Sequence, residues 1–328
     1  MPASVMGREE VLDSLTPEEG KGVPFILAGS LIHEPMSAAM AELGVDRVAL
    51  STDKSSVVKM SRYLYSKCSL KAYTFPCIMT VLSEAYGGEH ELYGIVDYPI
   101  GTISEAKNLE RLSPYKDKRL PMMLDVVREL KVLDDGVPVI ADIVGPLSLA
   151  SSLMDGKEIL RHCAKGTPEL KQFLYDLTVD ITSYAKALCE AGADIIFLTD
   201  PFATAKTLGP DIYASHTAPF IKSIRDEVIS LNTVFIMHIC SDPSTLTPSI
   251  QMISPDYLSV DGVHVIPGVK SICGIPGEML NEGANDRVRE FKAEALKSGA
   301  KMISSSCSID STVNPSSLNE ISNYISGS

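Results

Sequence analysis

No stretch of about 18 consecutive apolar residues occurs in this chain, so no part of it is suited to crossing a membrane as a helix. Its opening residues, MPASVMGREEVLDSL, lack the apolar core of a secretory signal. Positive charge is scarce: 29 Lys and Arg stand against 42 Asp and Glu, a net charge of −13. With no basic run and no patch of aromatic and basic residues, nucleic acid is excluded as an expected partner, and anionic membranes are disfavoured. The glycine-rich phosphate loops GxGxxG and GxxxxGK[ST] are missing, which weakens nucleotide-binding readings. There is no internal repeat, low-complexity tract or linker. Seven cysteines, an odd number without a secretion signal, argue for reduced thiols and a cytoplasmic protein rather than a disulfide framework.

What is present is the composition of a folded domain. Of 328 residues, 45% are hydrophobic and 22% charged. The expectation is one α/β domain over 1–328, with a short helical lead-in in the first 20 residues. Short runs rich in Val, Ile and Phe read as strands: Val23–Gly29, Val137–Gly145, Ala193–Asp200, Val234–Cys240, Tyr257–Asp261, Ser271–Ile275 and Lys301–Cys307. Such near-continuous apolar runs suit parallel strands buried on both faces. Between them the clearest helix is Pro168–Cys189, where Leu170, Phe173, Leu174, Leu177, Ile181, Tyr184 and Leu188 recur at three- and four-residue steps. Thr167 is placed to cap it and Gly192 to end it. Further helices are expected at Asp286–Ser298 and from Pro315 onward. Strands alternating with helices fit either an open parallel sheet or a closed (β/α)8 barrel.

His238 and Cys240 lie at the end of VFIMHIC. Residues i and i+2 of a strand face the same side, so both side chains converge at the C-terminal end of the strand, where α/β active sites form. Imidazole nitrogen and thiolate sulfur are the ligands zinc prefers. Cys307 ends KMISSSC in the same way, 67 residues further on. Three such ligands with a fourth position open would mark a catalytic zinc.

Several segments resemble the uroporphyrinogen decarboxylase superfamily and, within it, the methylcobamide:coenzyme M methyltransferases. They are FPCIMTVLSEAYGG (Phe75–Gly88), ADIVGPLSLAS (Ala141–Ser151), DIIFLTDPFATAKTLGPDIYASHTAPFIKSI (Asp194–Ile224), MHICSD (Met237–Asp242) and GAKMISSSCSIDSTVNPSSLNEI (Gly299–Ile321). The match is collinear from about Phe75 to the C-terminus. The resemblance implies a (β/α)8 TIM-type barrel, Zn2+ on His238, Cys240 and Cys307, and a methylcobamide carried by a corrinoid partner protein. It implies methyl transfer between that corrinoid and a small acceptor, a thiol such as coenzyme M. Glu84 aligns with an acidic residue that would hold zinc when substrate is absent. The sequence departs from the pattern at Leu82, in the Cys273–Asn285 loop and in the SCSI around Cys307, segments expected to line the acceptor pocket.

Asp200 and Asp261 each end a strand, in FLTDP and LSVDG. Either is placed to orient a zinc ligand or bind substrate, and equally to cap or turn the chain. Asp142, inside VIADIVG, would be costly to bury unpaired, which favours a pocket role. His264 is near a strand end; Cys77 and the remaining cysteines read as core or helix residues. A non-enzymatic corrinoid- or metal-binding protein is one alternative reading, and two others remain open. In one, a methoxyaromatic, methylamine or methyl thioether donates its methyl group to the corrinoid. In the other, the chain is a metal-free lyase like the decarboxylases, although their R-Q-A-G-R-Y segment has no counterpart here.

Overall fold

The computed structural model describes residues 6–17, 22–28, 36–74, 80–91, 94–133, 136–307 and 309–327. Eight strands line up side by side: β1 (Phe25–Ile26), β2 (Tyr73–Thr74), β3 (Val139–Val144), β4 (Ile195–Thr199), β5 (Val234–Ile239), β6 (Tyr257–Asp261), β7 (Ser271–Ile275) and β8 (Met302–Ser305). Each pairs in parallel with its sequence neighbour from β2 through β8, and β8 returns to β1 in register Phe25↔Ile303 and Ile26↔Ser304. The ring meets itself where the Lys71 N–H donates to the Phe25 carbonyl at 3.4 Å, just ahead of β2. A parallel sheet that returns to its first strand is a barrel, not an open sheet.

The seven strands expected from the sequence are all present, two of them much shortened: Val23–Gly29 contracts to Phe25–Ile26, and Lys301–Cys307 to Met302–Ser305. β2 was not expected. Two paired residues leave no apolar run to read. The helix expected at Pro168–Cys189 runs to Ala191, and Gly192 ends it with φ 110°. Thr167 occupies the cap position, but its side chain does not cap; its hydroxyl meets His162 Nδ1 at 2.8 Å instead. Asp286–Ser298 and Pro315–Ser326 form as expected.

Two apolar shells hold the barrel. The inner one is Ile26, Ala72, Ile140, Ile195, Phe197, Val234, Ile236, Tyr257, Ile272 and Met302, one alternation of each strand. Val11, Leu12 and Leu15 of the lead-in helix Arg8–Ser14 and its end join this shell. Arg8 fastens that helix to Asp256, which precedes β6 and also accepts the Phe235 N–H at 2.9 Å. The helix therefore closes the N-terminal end of the barrel. The outer shell packs the helices onto the strands. The C-terminal end, where the sites of such barrels form, is left clear of that helix.

Candidate metal centre

Inward-facing positions of β5 run Val234, Ile236, His238, and the next in that alternation is Cys240. His238 is buried, with its register partner Ser259 on β6 beside it. Its Nδ1 lies 3.0 Å from Ser259 Oγ. Its Nε2 is buried and has no hydrogen-bond partner among the described residues. The imidazole stacks on Phe197 of β4, centroids 5.9 Å apart at 25°.

Around that orphaned nitrogen stand three more donors. Cys240 and Cys307 bring their sulfurs to 3.6 Å. Asp261 Oδ2 is 3.3 Å from Cys307 Sγ and 4.0 Å from His238 Nε2. The donor atoms of all four residues lie within 4.8 Å of one another. A tetrahedral zinc with bonds of about 2.0–2.3 Å places its ligand atoms roughly 3.3–3.8 Å apart. The spacing, the one imidazole, two thiols and one carboxylate, and the buried nitrogen with nothing to bind all fit such an ion. Without a cation, the hydrogen bond to Cys240 and burial push the Cys307 thiol far above its ordinary range. A divalent ion held there would supply positive charge that favours the Cys307 thiolate.

Asp261 reaches Cys307 by crossing over β7. That strand offers Gly274 at the crossing, where a Cβ would meet Val260 O at 2.9 Å, Ser305 O at 3.0 Å and Asp261 Oδ1 at 3.4 Å. Asp261 Oδ1 accepts the Cys307 N–H at 3.0 Å, so the carboxylate also pins the chain leaving β8.

The other acidic candidates go elsewhere. Glu84 is not in the group of four. Arg119 takes both its oxygens, through Nε at 2.8 Å and Nη2 at 2.6 Å, and Thr80 adds a third contact. Two-pronged pairing with a guanidinium holds Glu84 away from that group in this arrangement; Asp261 is the group's fourth member. Asp200 is also outside the group. It accepts from Ser148 N at 2.7 Å, Ser148 Oγ at 2.6 Å and Leu147 N at 3.3 Å, capping the helix Pro146–Leu153 from the next strand. Burial pushes its carboxyl up to about 6 against those donors. His264 pairs with Asp242 at 3.5 Å. Asp142 is buried with Oδ1 unpartnered. Cys68, Cys163 and Cys273 are buried. Cys77 and residues 75–79 of the Phe75–Gly88 segment lie outside the described residues.

Sequence reasoning missed Ser259, Gly274 and Arg119. Ser259 had a signal: it stands two residues before Asp261 in YLSVD, the same i, i+2 spacing that pairs His238 with Cys240. Gly274 and Arg119 acquire their roles only across strands, and no local pattern marks them.

Residues 6–326 match the uroporphyrinogen decarboxylase (URO-D) family model, and the chain belongs to that family. Among its curated relatives, a methylcobamide:CoM methyltransferase MtaA of Methanosarcina barkeri is 29% identical, covering 89% of this chain and 90% of that protein. A methylated-thiol–coenzyme M methyltransferase of Methanosarcina mazei is 23% identical over 91% of the chain and 86% of the relative. A solved methyltransferase structure from Methanosarcina mazei superposes with a TM-score of 0.84, covering 96% of each chain at 22% identity, which shows the same fold. Within the family the chain is thus an enzyme of the methyltransferase kind.

Proposed function

We propose that this enzyme moves a methyl group between a corrinoid, carried by a partner protein, and a small molecule, most simply from methyl-cobalt to a thiol; coenzyme M is the acceptor that its relatives' names give. The observation that carries this reading is the group of His238, Cys240, Cys307 and Asp261 at the C-terminal end of the barrel. Those residues would hold Zn2+, which when bound lowers the pKa of a coordinating thiol and so supplies a sulfur nucleophile at neutral pH. In the transfer the cobalt–carbon bond breaks, the sulfur–carbon bond forms, and the electron pair of the broken bond stays on cobalt.

The chain's own residues hold and orient. Ser259 engages His238 Nδ1, which leaves Nε2 facing the cysteines. Three ligands, His238, Cys240 and Cys307, suffice to keep the ion. Asp261, tied to the Cys307 N–H by one oxygen, keeps the other for the position a substrate sulfur would take. Phe197 backs the imidazole and keeps water from that side. The same residues serve the reverse transfer from a methyl thioether, because the sulfur site is common to both directions. The four-donor group favours this over a metal-free lyase. The protein is read as cytoplasmic, in keeping with its free thiols; no helix among the described residues is long and apolar enough to cross a membrane.

The test is metal content together with transfer. Wild type should carry about one zinc per chain, as one tetrahedral site requires, and methylate a thiol from methylcobalamin. Cys240→Ala with Cys307→Ala should lose both. Wild type purified without chelators and free of metal would sink the proposal.

A further inference from the structure

Three buried aspartates in the barrel have different surroundings. Asp194 is paired with Lys131 Nζ, at 2.9 Å to each oxygen. Asp200 caps a helix. Asp142 has neither kind of partner: it is 8% exposed, its Oδ1 accepts no hydrogen bond, and nothing caps, pairs or bridges it among the described residues. Burial alone drives its carboxyl well above the ordinary range. A polar group buried in this way costs stability and needs a reason.

Its position supplies one. Asp142 on β3 is in register with Phe197 on β4, and parallel partners face the same side, so Asp142 faces the barrel interior. Phe197 stacks on His238. Two residues beyond Phe197, Thr199 is in register with His238, and its Oγ1 is likewise buried and unpartnered. Two strand spacings, about 9–10 Å, separate the β3 and β5 backbones. A compact molecule with its sulfur at His238 and the cysteines would bring its other end to Asp142 and Thr199.

The charge around the mouth narrows what that other end is. The described residues that directly follow the eight strands are 27–28 and 36, 80, 145, 200–204, 240–246, 262–269, 276–285, 306–307 and 309–314. None of these described residues is Lys or Arg, while Asp200, Asp242, Glu278, Glu282 and Asp310 are among them. Lys270, next in the chain after 269, lies over the Tyr257 ring at the start of β6, 5.3 Å from its centroid, toward the opposite end of the barrel. Arg119, the cation that meets Val81–Ala85 past β2, is held by both oxygens of Glu84. An anionic tail would find a buried acid and no available cation in these segments.

We propose that Asp142 and Thr199 bind the polar end of the small methyl acceptor or donor, and that this end is an ammonium or hydroxyl group rather than a sulfonate. The inference rests on the thiol methyl-transfer reading above. Asp142 answers an ammonium as a carboxylate and a hydroxyl as either acceptor or donor; Thr199 supplies a second hydrogen bond in each case.

The test is a calorimetric titration of the zinc-loaded protein with three thiols of one backbone: 2-mercaptoethylamine, 2-mercaptoethanol and 2-mercaptoethanesulfonate. The amine should bind about tenfold or more tightly than the sulfonate, the size of a hydrogen bond to a charged group. Asp142→Asn, of the same shape, should bring the amine down to the level of the alcohol. A sulfonate that binds tightest, an amine preference that survives in Asp142→Asn (chelation of zinc by the aminothiol would do this), or no binding of any of the three would overturn the proposal. Transfer from methylcobalamin to the same thiols keeps the two readings apart. Binding in the expected order without transfer leaves this inference standing and defeats the methyl-transfer reading. Brisk transfer with the sulfonate preferred does the reverse.

Discussion

Ser259 contributes no ligand, yet its hydroxyl sits 3.0 Å from His238 Nδ1 and fixes which nitrogen faces the cysteines. Groups that orient a ligand imidazole are worth about 10–100-fold in metal affinity. Ser259→Ala should therefore weaken zinc binding by that factor in a competition titration with a chelator, while far-UV circular dichroism stays unchanged. An undiminished affinity would mean that packing against Phe197 alone holds the ring. Asp200 shows a different use of an acid. Burial raises its carboxyl to about 6, so the folded state takes up a proton more readily than the unfolded chain does. The sign follows: its contribution favours folding at low pH and is lost as pH rises from about 4 to about 6, by an order of 3 kcal/mol for the shift of roughly two units. Asp200→Asn removes that titration. The variant's stability should fall less than wild type's between pH 4.5 and 7 in denaturant melts, and parallel pH profiles would show that Asp200 does not titrate there. Both residues were visible in the sequence, but only Asp200 drew attention, because a strand-ending acid is a familiar signal and an inward serine is not.

Between neighbouring strands, the arrangement depends on Gly274. Its missing side chain lets Asp261 on β6 pass over β7 and meet the chain leaving β8. A methyl group there would press on the carbonyls of Val260 and Ser305, both backbone and unable to swing aside. Gly274→Ala should destabilise the fold by about 1–3 kcal/mol, and zinc content should drop along with the Asp261–Cys307 contact. A variant that keeps full metal and wild-type melting would show that the strands can spread without cost. All seven legible strands were legible for one reason: they are short apolar runs between turn residues. The two weakest pieces of the barrel fit that rule in part or not at all. β1 keeps only two paired residues of the seven-residue run around it, and β2, with Tyr73 and Thr74, has no run at all. They hold their places because β8 and β3 hydrogen-bond to them, which is information about neighbours rather than about the segment itself.

For the molecule as a whole, the order of elements was readable from Val137 onward, while the ring closure followed from the family resemblance rather than from the pattern, since alternation of strands and helices describes open and closed sheets alike. The grouping of His238 with Cys240 was readable because strand geometry turns a spacing of two into a shared direction, and Cys307 because it ends a second apolar run. The fourth donor was not, because Glu84 and Asp261 are both single acids near strand ends, and only the fold pairs the first with Arg119 and sets the second between two thiols. The closure has a consequence for how the protein is made. Phe25 must wait for Ile303, and the Ala28 N–H must wait for the hydroxyl of Ser305, 277 residues away. As the chain emerges from the ribosome, strands β2 to β7 can assemble in turn, but β1 lacks its sheet partner and β7 remains an open edge until residues 302–305 appear. Nascent chains of this enzyme are therefore exposed to aggregation until β8 is made, and the strand that relieves them is the one that delivers Cys307.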